Sequence, residues 1–303
     1  MIRERATDRP AERVRIGCVS FLNAKPLIDG LDEHPELSVE YAVPSALLER
    51  LESGRVDVAL CPVIDYQTSA TPLEIVPAGG IGCDGPTMTV RLYSRGPIGR
   101  IASVAVDGDS HTSIALLRVL LAELQGVRPR LLEMGRSDAA DNGEAGRSAV
   151  VAADAILLIG DKVVSAAPDN GRYPHQMDLG EAWKLLTDLP FVFAVWMARR
   201  GADLGPAPAI LTQRRKANAG QIDRIVSRYA PSRSWPQGPA NLYLGKLLRY
   251  AIGPRELEAM RRFWLLAHRH GVIGRPRELI LHKSEAREPV APAEGVAAEG
   301  PAV

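Results

Sequence analysis

Val14-Arg15-Ile16-Gly17-Cys18-Val19-Ser20, a stretch at 45–53 carrying Leu47, Leu48 and Leu51, and Val56-Asp57-Val58-Ala59-Leu60-Cys61 follow one another closely. The outer two are short runs rich in β-branched residues and read as strands. The middle one sets its leucines on one helical face and stops at Gly54. Strand, helix and strand in this order make a β-α-β unit, because parallel neighbours need a crossover between them. The pattern continues outward. Strand-like runs recur at 73–76, 88–93, 103–106, 155–159 and 191–197, with an apolar helix-like run at 114–124. The alternation predicts an α/β protein with parallel sheets. Pro97 and Gly99 punctuate one end of the series and residues 199–208 the return, so the chain is expected to cross between two lobes near these points. The expected division is 13–96 for the first lobe, 97–198 for the second and 199–283 for a mostly helical return to the first. In that return, helical stripes carry Ile222, Ile225, Val226 and Tyr229, then Leu244, Leu247 and Leu248, then Leu257, Met260, Phe263, Trp264 and Ala267.

Composition narrows the class. The chain has 303 residues, 46% hydrophobic and 24% charged, enough for two lobes with their own cores and a cleft between them. A formal charge of +1, with arginines interleaved among acids, offers no electrostatic basis for binding nucleic acid or an anionic membrane. No stretch approaches the roughly 18 apolar residues of a membrane span. Residues 1–12 are charged and lack the apolar core of an export signal, and residues 284–303 are rich in Ala, Pro, Glu and Gly without periodicity; both ends are expected to be disordered. Cys18, Cys61 and Cys83 lack metal-type spacing and lie in apolar runs, as reduced core residues of a cytoplasmic protein would. The six histidines form no metal-ligand pattern. The polar segment 136–147 reads as a surface loop.

Four short stretches carry candidate chemistry. Ser110-His111-Thr112-Ser113 stands between the 103–106 strand and the 114–124 helix. A helix start leaves N–H groups without partners and carries the positive end of the dipole, so it offers a seat for a carboxylate or phosphate; Ser110 can equally serve as a cap alone. His111 lies inside that seat as a donor whose charge depends on its surroundings, or as a solvent-facing loop residue. Ser20 and Asn23 follow the first strand, where open α/β sheets place ligand loops. The Asn23 amide can orient a substrate hydroxyl or carboxylate, or bond its own turn. Lys25, before a proline, reads as a solvated surface lysine. Gly85-Pro86 turn the chain into a strand on which Thr87 and Thr89 share a face, either to bind an oxyanion or to pack a sheet. Gly160, at the end of the 155–159 strand, permits close backbone approach, and Asp161 after it caps a helix or holds the cleft loops.

Taken together, Val19 to Leu27, Cys83-Asp84-Gly85-Pro86, Ser110 to Ser113, Leu158-Ile159-Gly160-Asp161, and Asp178-Leu179-Gly180-Glu181-Ala182-Trp183 with Leu189 to Trp196 resemble the chorismate dehydratases of the futalosine route to menaquinone. The resemblance spans about residues 15–271. It implies a two-lobed fold of the type II periplasmic-binding-protein kind and a lyase that needs no cofactor, taking the dianion chorismate to 3-[(1-carboxyvinyl)oxy]benzoate. It further implies Asn23 as the catalytic group, with Ser20, Pro86, Thr87, Thr89, Ser110, His111, Thr112, Ser113, Gly160 and Asp161 around the substrate. The chain departs from many members in having His111 for Arg and Thr89 for Ser, both at the expected anion seat. Two other readings share the fold: the sibling enzyme that forms 1,4-dihydroxy-6-naphthoate, and a solute-binding protein for small anions.

Overall fold

The computed structural model describes residues 13–108, 110–134 and 150–283. The expected terminal tails and the 136–147 loop lie outside these residues. The strands are β1 (Val14–Cys18), β2 (Leu37–Tyr41), β3 (Val58–Pro62), β4 (Leu73–Cys83), β5 (Val90–Ser94), β6 (Ser103–Val106), β7 (Arg130–Glu133), β8 (Ala155–Ile159), β9 (His175–Asp178), β10 (Phe191–Arg199) and β11 (Leu248–Arg249). They form a six-stranded sheet, ordered β11-β4-β10-β3-β1-β2, and a five-stranded sheet, ordered β7-β6-β8-β5-β9.

The opening β-α-β unit is as read. β1 runs parallel to β2 and β3, and between β2 and β3 the Pro44–Glu52 helix buries Leu47 and Leu51. Pro44 stands in the first turn, where a missing N–H costs nothing, and each fully buried leucine contributes roughly 1.5–3 kcal/mol. β3 and β6 are buried along their whole length, as parallel central strands are.

Two expectations are corrected. The sheets are mixed: β10 runs antiparallel to β3 and β4, and β5 antiparallel to β8 and β9. The crossings also fall earlier than 97 and 199. β5 belongs to the second sheet and β10 to the first, so the chain crosses between β4 and β5 and again between β9 and β10. Outgoing and returning segments run in opposite senses, which sets β4 and β10 antiparallel side by side. Pro97 and Gly99 turn the chain between two strands of one sheet, because a turn signal marks a strand's end and not the sheet of the next strand.

The crossings are laced together by Asp178. Its carboxylate accepts from Thr87 N (3.0 Å) and Met88 N (2.7 Å) on the outgoing segment, and from Gly180 N (3.0 Å) and Glu181 N (3.2 Å), capping the Leu179–Thr187 helix. Gly180 permits this approach: a Cβ there would stand 2.3 Å from Thr87 Cγ2 and 2.6 Å from Gly85 O.

The helical return is partly as expected. The Ala207–Ala219 helix packs on β4, but the Pro254–Arg269 helix packs both on β10 and on the His111–Leu120 helix of the second half. Trp183, Phe191 and Phe263 meet edge to face where the two halves join, at centroid distances of 5.0–6.0 Å. Leu248 leaves the expected helix to pair with Cys83 as β11. All three cysteines are buried and free, and burial pushes the Cys18 and Cys83 thiols up to about 12. Among the described residues no helix is long and apolar enough to cross a membrane.

Candidate active site

Three strand ends converge on one cavity. From the loop after β1 come Val19, Phe21 and Asn23; from the segment after β6 come Asp107, Ser110 and Thr112; from the end of β8 come Ile159, Gly160, Asp161 and Lys162; Leu60, Ile81 and Phe193 supply an apolar wall. The space is about 280 Å³. It continues inward into about 50 Å³ lined by Asn23, Thr87, Thr89, Ser113, Gly160 and Tyr243. Ordinary ligand pockets run to roughly 300–1,000 Å³, so a single-ring molecule is the natural size class. Two roomier but shallower depressions, at Pro77–Lys216 and at Glu74–Lys283, lack this convergence of strand ends.

Asn23 stands on a short turn, Leu22–Ala24, that begins as β1 ends. Its Oδ1 is buried without a protein partner, so the amide carbonyl does not close its own turn. Lys25, expected at the surface, is buried. Its Nζ lies over the rings of Tyr229 (4.6 Å) and Tyr41 (5.3 Å), and burial, with the Arg233 charge, lowers its pKa.

At the helix start, Ser110 makes no side-chain cap, which sets aside the reading of Ser110 as a simple cap. It lines the cavity beside Thr112, whose Oγ1 accepts from Ile64 N (3.3 Å), while the N–H groups of the first helical turn have no intrahelical acceptors. His111 is the departure from expectation. Its Nδ1 is 2.8 Å from Asp65 Oδ1, and it does not line either part of the cavity. Burial raises the Asp65 pKa and the His111 hydrogen bond opposes that rise, so the imidazole is drawn to a buried acid rather than to the anion seat.

Gly160, at φ +64°, closes the end of β8 by donating its N–H to Thr89 O (2.8 Å). Asp161 makes no helix cap; its Oδ1 accepts from Trp235 Nε1 (2.7 Å), tying the second half to the helical return of the first. Burial raises its pKa against that bond and the Arg233 charge. Thr87 and Thr89 do not alternate along one strand, because Met88 takes φ +67° and β5 begins only at Val90. Both still reach the inner cavity, though the Thr87 Oγ1 accepts from Thr89 N (3.1 Å) and Val90 N (2.9 Å) and so serves the turn. Ser20 and Pro86 lie outside the cavity lining. Ser20 is exposed, and its carbonyl accepts from Arg233 Nη2 (2.7 Å); Pro86 is exposed in the first crossing.

Sequence reading missed Asp107, Lys162 and Tyr243. Lys162 is bonded to Asp107 Oδ2, and both line the cavity. Their signal was adjacency to motifs already singled out; Tyr243, in the helical return, had none. The arrangement can seat an anion at the helix start and beside Lys162, hold a ring on the apolar wall, and present the Asn23 amide from within.

The sequence profile of a family described as menaquinone biosynthesis matches residues 14–269. A chorismate dehydratase of Thermus thermophilus is 31% identical over 229 residues, covering 69% of this chain and 78% of that protein. Among solved structures, a protein of Archaeoglobus fulgidus superposes with a TM-score of 0.68 at 16% identity, over 88% of this chain and 100% of its own. The alkanesulfonate-binding protein of Xanthomonas axonopodis, bound to MOPS, superposes with 0.62 at 18% identity, over 89% and 96%. A Candida albicans protein described as having the generic periplasmic binding protein fold superposes with 0.62 at 12% identity, over 91% and 99%. At such identities the structures speak for the fold alone, and that fold is the periplasmic-binding-protein-like one expected from the sequence.

Proposed function

The chain belongs to the menaquinone-biosynthesis family, and on that premise we propose that it dehydrates chorismate to 3-[(1-carboxyvinyl)oxy]benzoate, the entry to the futalosine route. The observation that carries this reading is the convergence of Asn23, the Ser110–Ser113 helix start and Gly160 on one largely apolar cavity. Chorismate loses its ring hydroxyl and the proton on the neighbouring ether-bearing carbon. One water leaves, the ring becomes aromatic, and no electrons enter or depart. The barrier is the difficulty, and the cavity acts on it by position and by fixed dipoles. The helix start and Lys162 seat carboxylate charge, the apolar wall holds the ring, and Asn23 meets the reacting edge. The substrate's own enolpyruvyl carboxylate takes the proton as the hydroxyl departs. The acids lining the cavity are otherwise engaged, Asp107 with Lys162 and Asp161 with Trp235.

Incubation with chorismate tests the reading, followed by the ultraviolet change on aromatisation and by the mass of the product. The purified protein is expected to convert chorismate with loss of water and no added cofactor, and Asn23→Ala to turn over about 10²–10³-fold more slowly, the scale for losing a preorganised polar group. Unchanged chorismate at micromolar protein, or an unimpaired Asn23→Ala, contradicts it.

A further inference from the structure

Arg233 ends the Pro231–Arg233 turn of the helical return and lines neither part of the cavity. Its guanidinium nonetheless touches both loops that bring Asn23 and Gly160 there. Nη2 donates to Ser20 O (2.7 Å), in the loop that leads into the Asn23 turn, and Nε stands 4.0 Å from Asp161 Oδ2, beside Gly160. Nη1 donates to Tyr229 O (3.2 Å) at the end of the Ile222–Tyr229 helix, which anchors the fork to the helical return. Among the described residues no other side chain is hydrogen-bonded to residues 19–22. The Asp161 side is held more firmly. After Ser234, at φ +56°, Trp235 donates from Nε1 to Asp161 Oδ1 (2.7 Å), and its buried ring stacks on Tyr243 at 5.1 Å and 9°. The Tyr243 oxygen accepts from Thr89 Oγ1 (2.7 Å), and Thr89 O accepts from Gly160 N (2.8 Å).

A guanidinium is a rigid planar fork whose donors point in fixed directions, so partners on two of its edges are held at a set distance from each other. Here one edge takes a carbonyl of the first half and another faces a carboxylate of the second. A site that works by position tolerates an error of only about 0.5 Å in where its groups stand. We infer that Arg233 is a positioning residue that sets the spacing between the Asn23 loop and the Gly160 loop, and with it the place of the Asn23 amide against the bound ring. Its effect on turnover rests on the reading above. The fork acts through Ser20 and Asp161, and no part of it belongs to the cavity wall.

Arg233→Lys keeps the charge and loses the fork, so it separates spacing from simple attraction of a dianion. Its kcat on chorismate is expected to fall about 10–100-fold, the scale of a small misplacement of a reacting group, with KM within about twofold. The side-chain amide signals of Asn23 in a ¹⁵N–¹H spectrum, identified by their disappearance in Asn23→Ala, are expected to move in Arg233→Lys. Asp161→Asn keeps an acceptor for Trp235 and removes the charge beside Arg233. It is expected to lower kcat in the same sense, and it decides the matter should Arg233→Lys not fold. Because both act on one link, the loss in the double variant is expected to be smaller than the product of the single losses. A wild-type kcat in Arg233→Lys, a loss confined to KM with unmoved amide signals, or single losses that multiply independently overturns the inference. If the wild-type protein does not convert chorismate, the functional reading fails separately, and the amide signals of Arg233→Lys still decide the role of Arg233.

Discussion

Lys162 is the cationic side chain among the described residues that line the main cavity, and it reaches Asp107 across the mouth. A doubly charged substrate draws such an ammonium group because a charge-assisted hydrogen bond contributes more than a neutral one, roughly 1.5–3 kcal/mol. Lys162→Ala is expected to raise KM for chorismate about tenfold, with a smaller change in kcat, since a seat for carboxylate charge binds substrate and transition state alike. Steady-state kinetics on chorismate check this, and an unchanged KM removes Lys162 from the seat. At this scale the sequence was legible where chemistry sits at strand ends. Asn23, Gly160 and the 110–113 turn follow strands that the apolar runs announce. Lys25 was misread because its environment is made by Tyr41 and Tyr229, which only the fold brings to it. His111 was misplaced for the same reason, its partner Asp65 opening the short Asp65–Thr68 helix of the other lobe.

Elements were legible as to kind and less so as to direction. Apolar runs mark a strand whichever way it is entered, so the antiparallel courses of β5 and β10 could not be read from them. The same holds for sheet membership, decided by the crossings that Asp178 ties and Gly180 accommodates. A second tie fixes the element behind Asn23. Asp29, just beyond the Lys25–Ile28 helix, accepts from Tyr229 Oη (2.6 Å) and Arg224 Nη2 (2.5 Å) of the Ile222–Tyr229 helix. Burial alone would raise the Asp29 pKa, but hydrogen bonds from Tyr229 and Arg224 and the charges of Arg224 and Arg228 more than reverse it, leaving the carboxyl below its usual value. A depressed carboxyl contributes stability in full above its unfolded value, about 3.9, and that contribution is lost as pH falls through the lower folded value. Asp29→Asn is therefore expected to cost about 1–3 kcal/mol at neutral pH, with the gap to wild type narrowing below about pH 4. Urea unfolding at several pH values reads this out. A gap that stays constant down to about pH 3 contradicts the ion-paired role.

At the scale of the whole molecule, two sheets face each other across a cavity and are clasped on both sides of it. On one rim Thr112 and His111 meet Ile64 and Asp65; on the other Asp161 meets Trp235. The cavity's polar groups thus come from both halves and are held in register by bonds between them, as positional catalysis requires. A crystal structure with 3-[(1-carboxyvinyl)oxy]benzoate bound tests this most directly. The benzoate ring is expected against Ile81 and Phe193, a carboxylate at the Ser110–Thr112 helix start, and the Asn23 carbonyl beside the ring carbon that bore the hydroxyl. Product lodged away from both the loop after β1 and the helix start contradicts it.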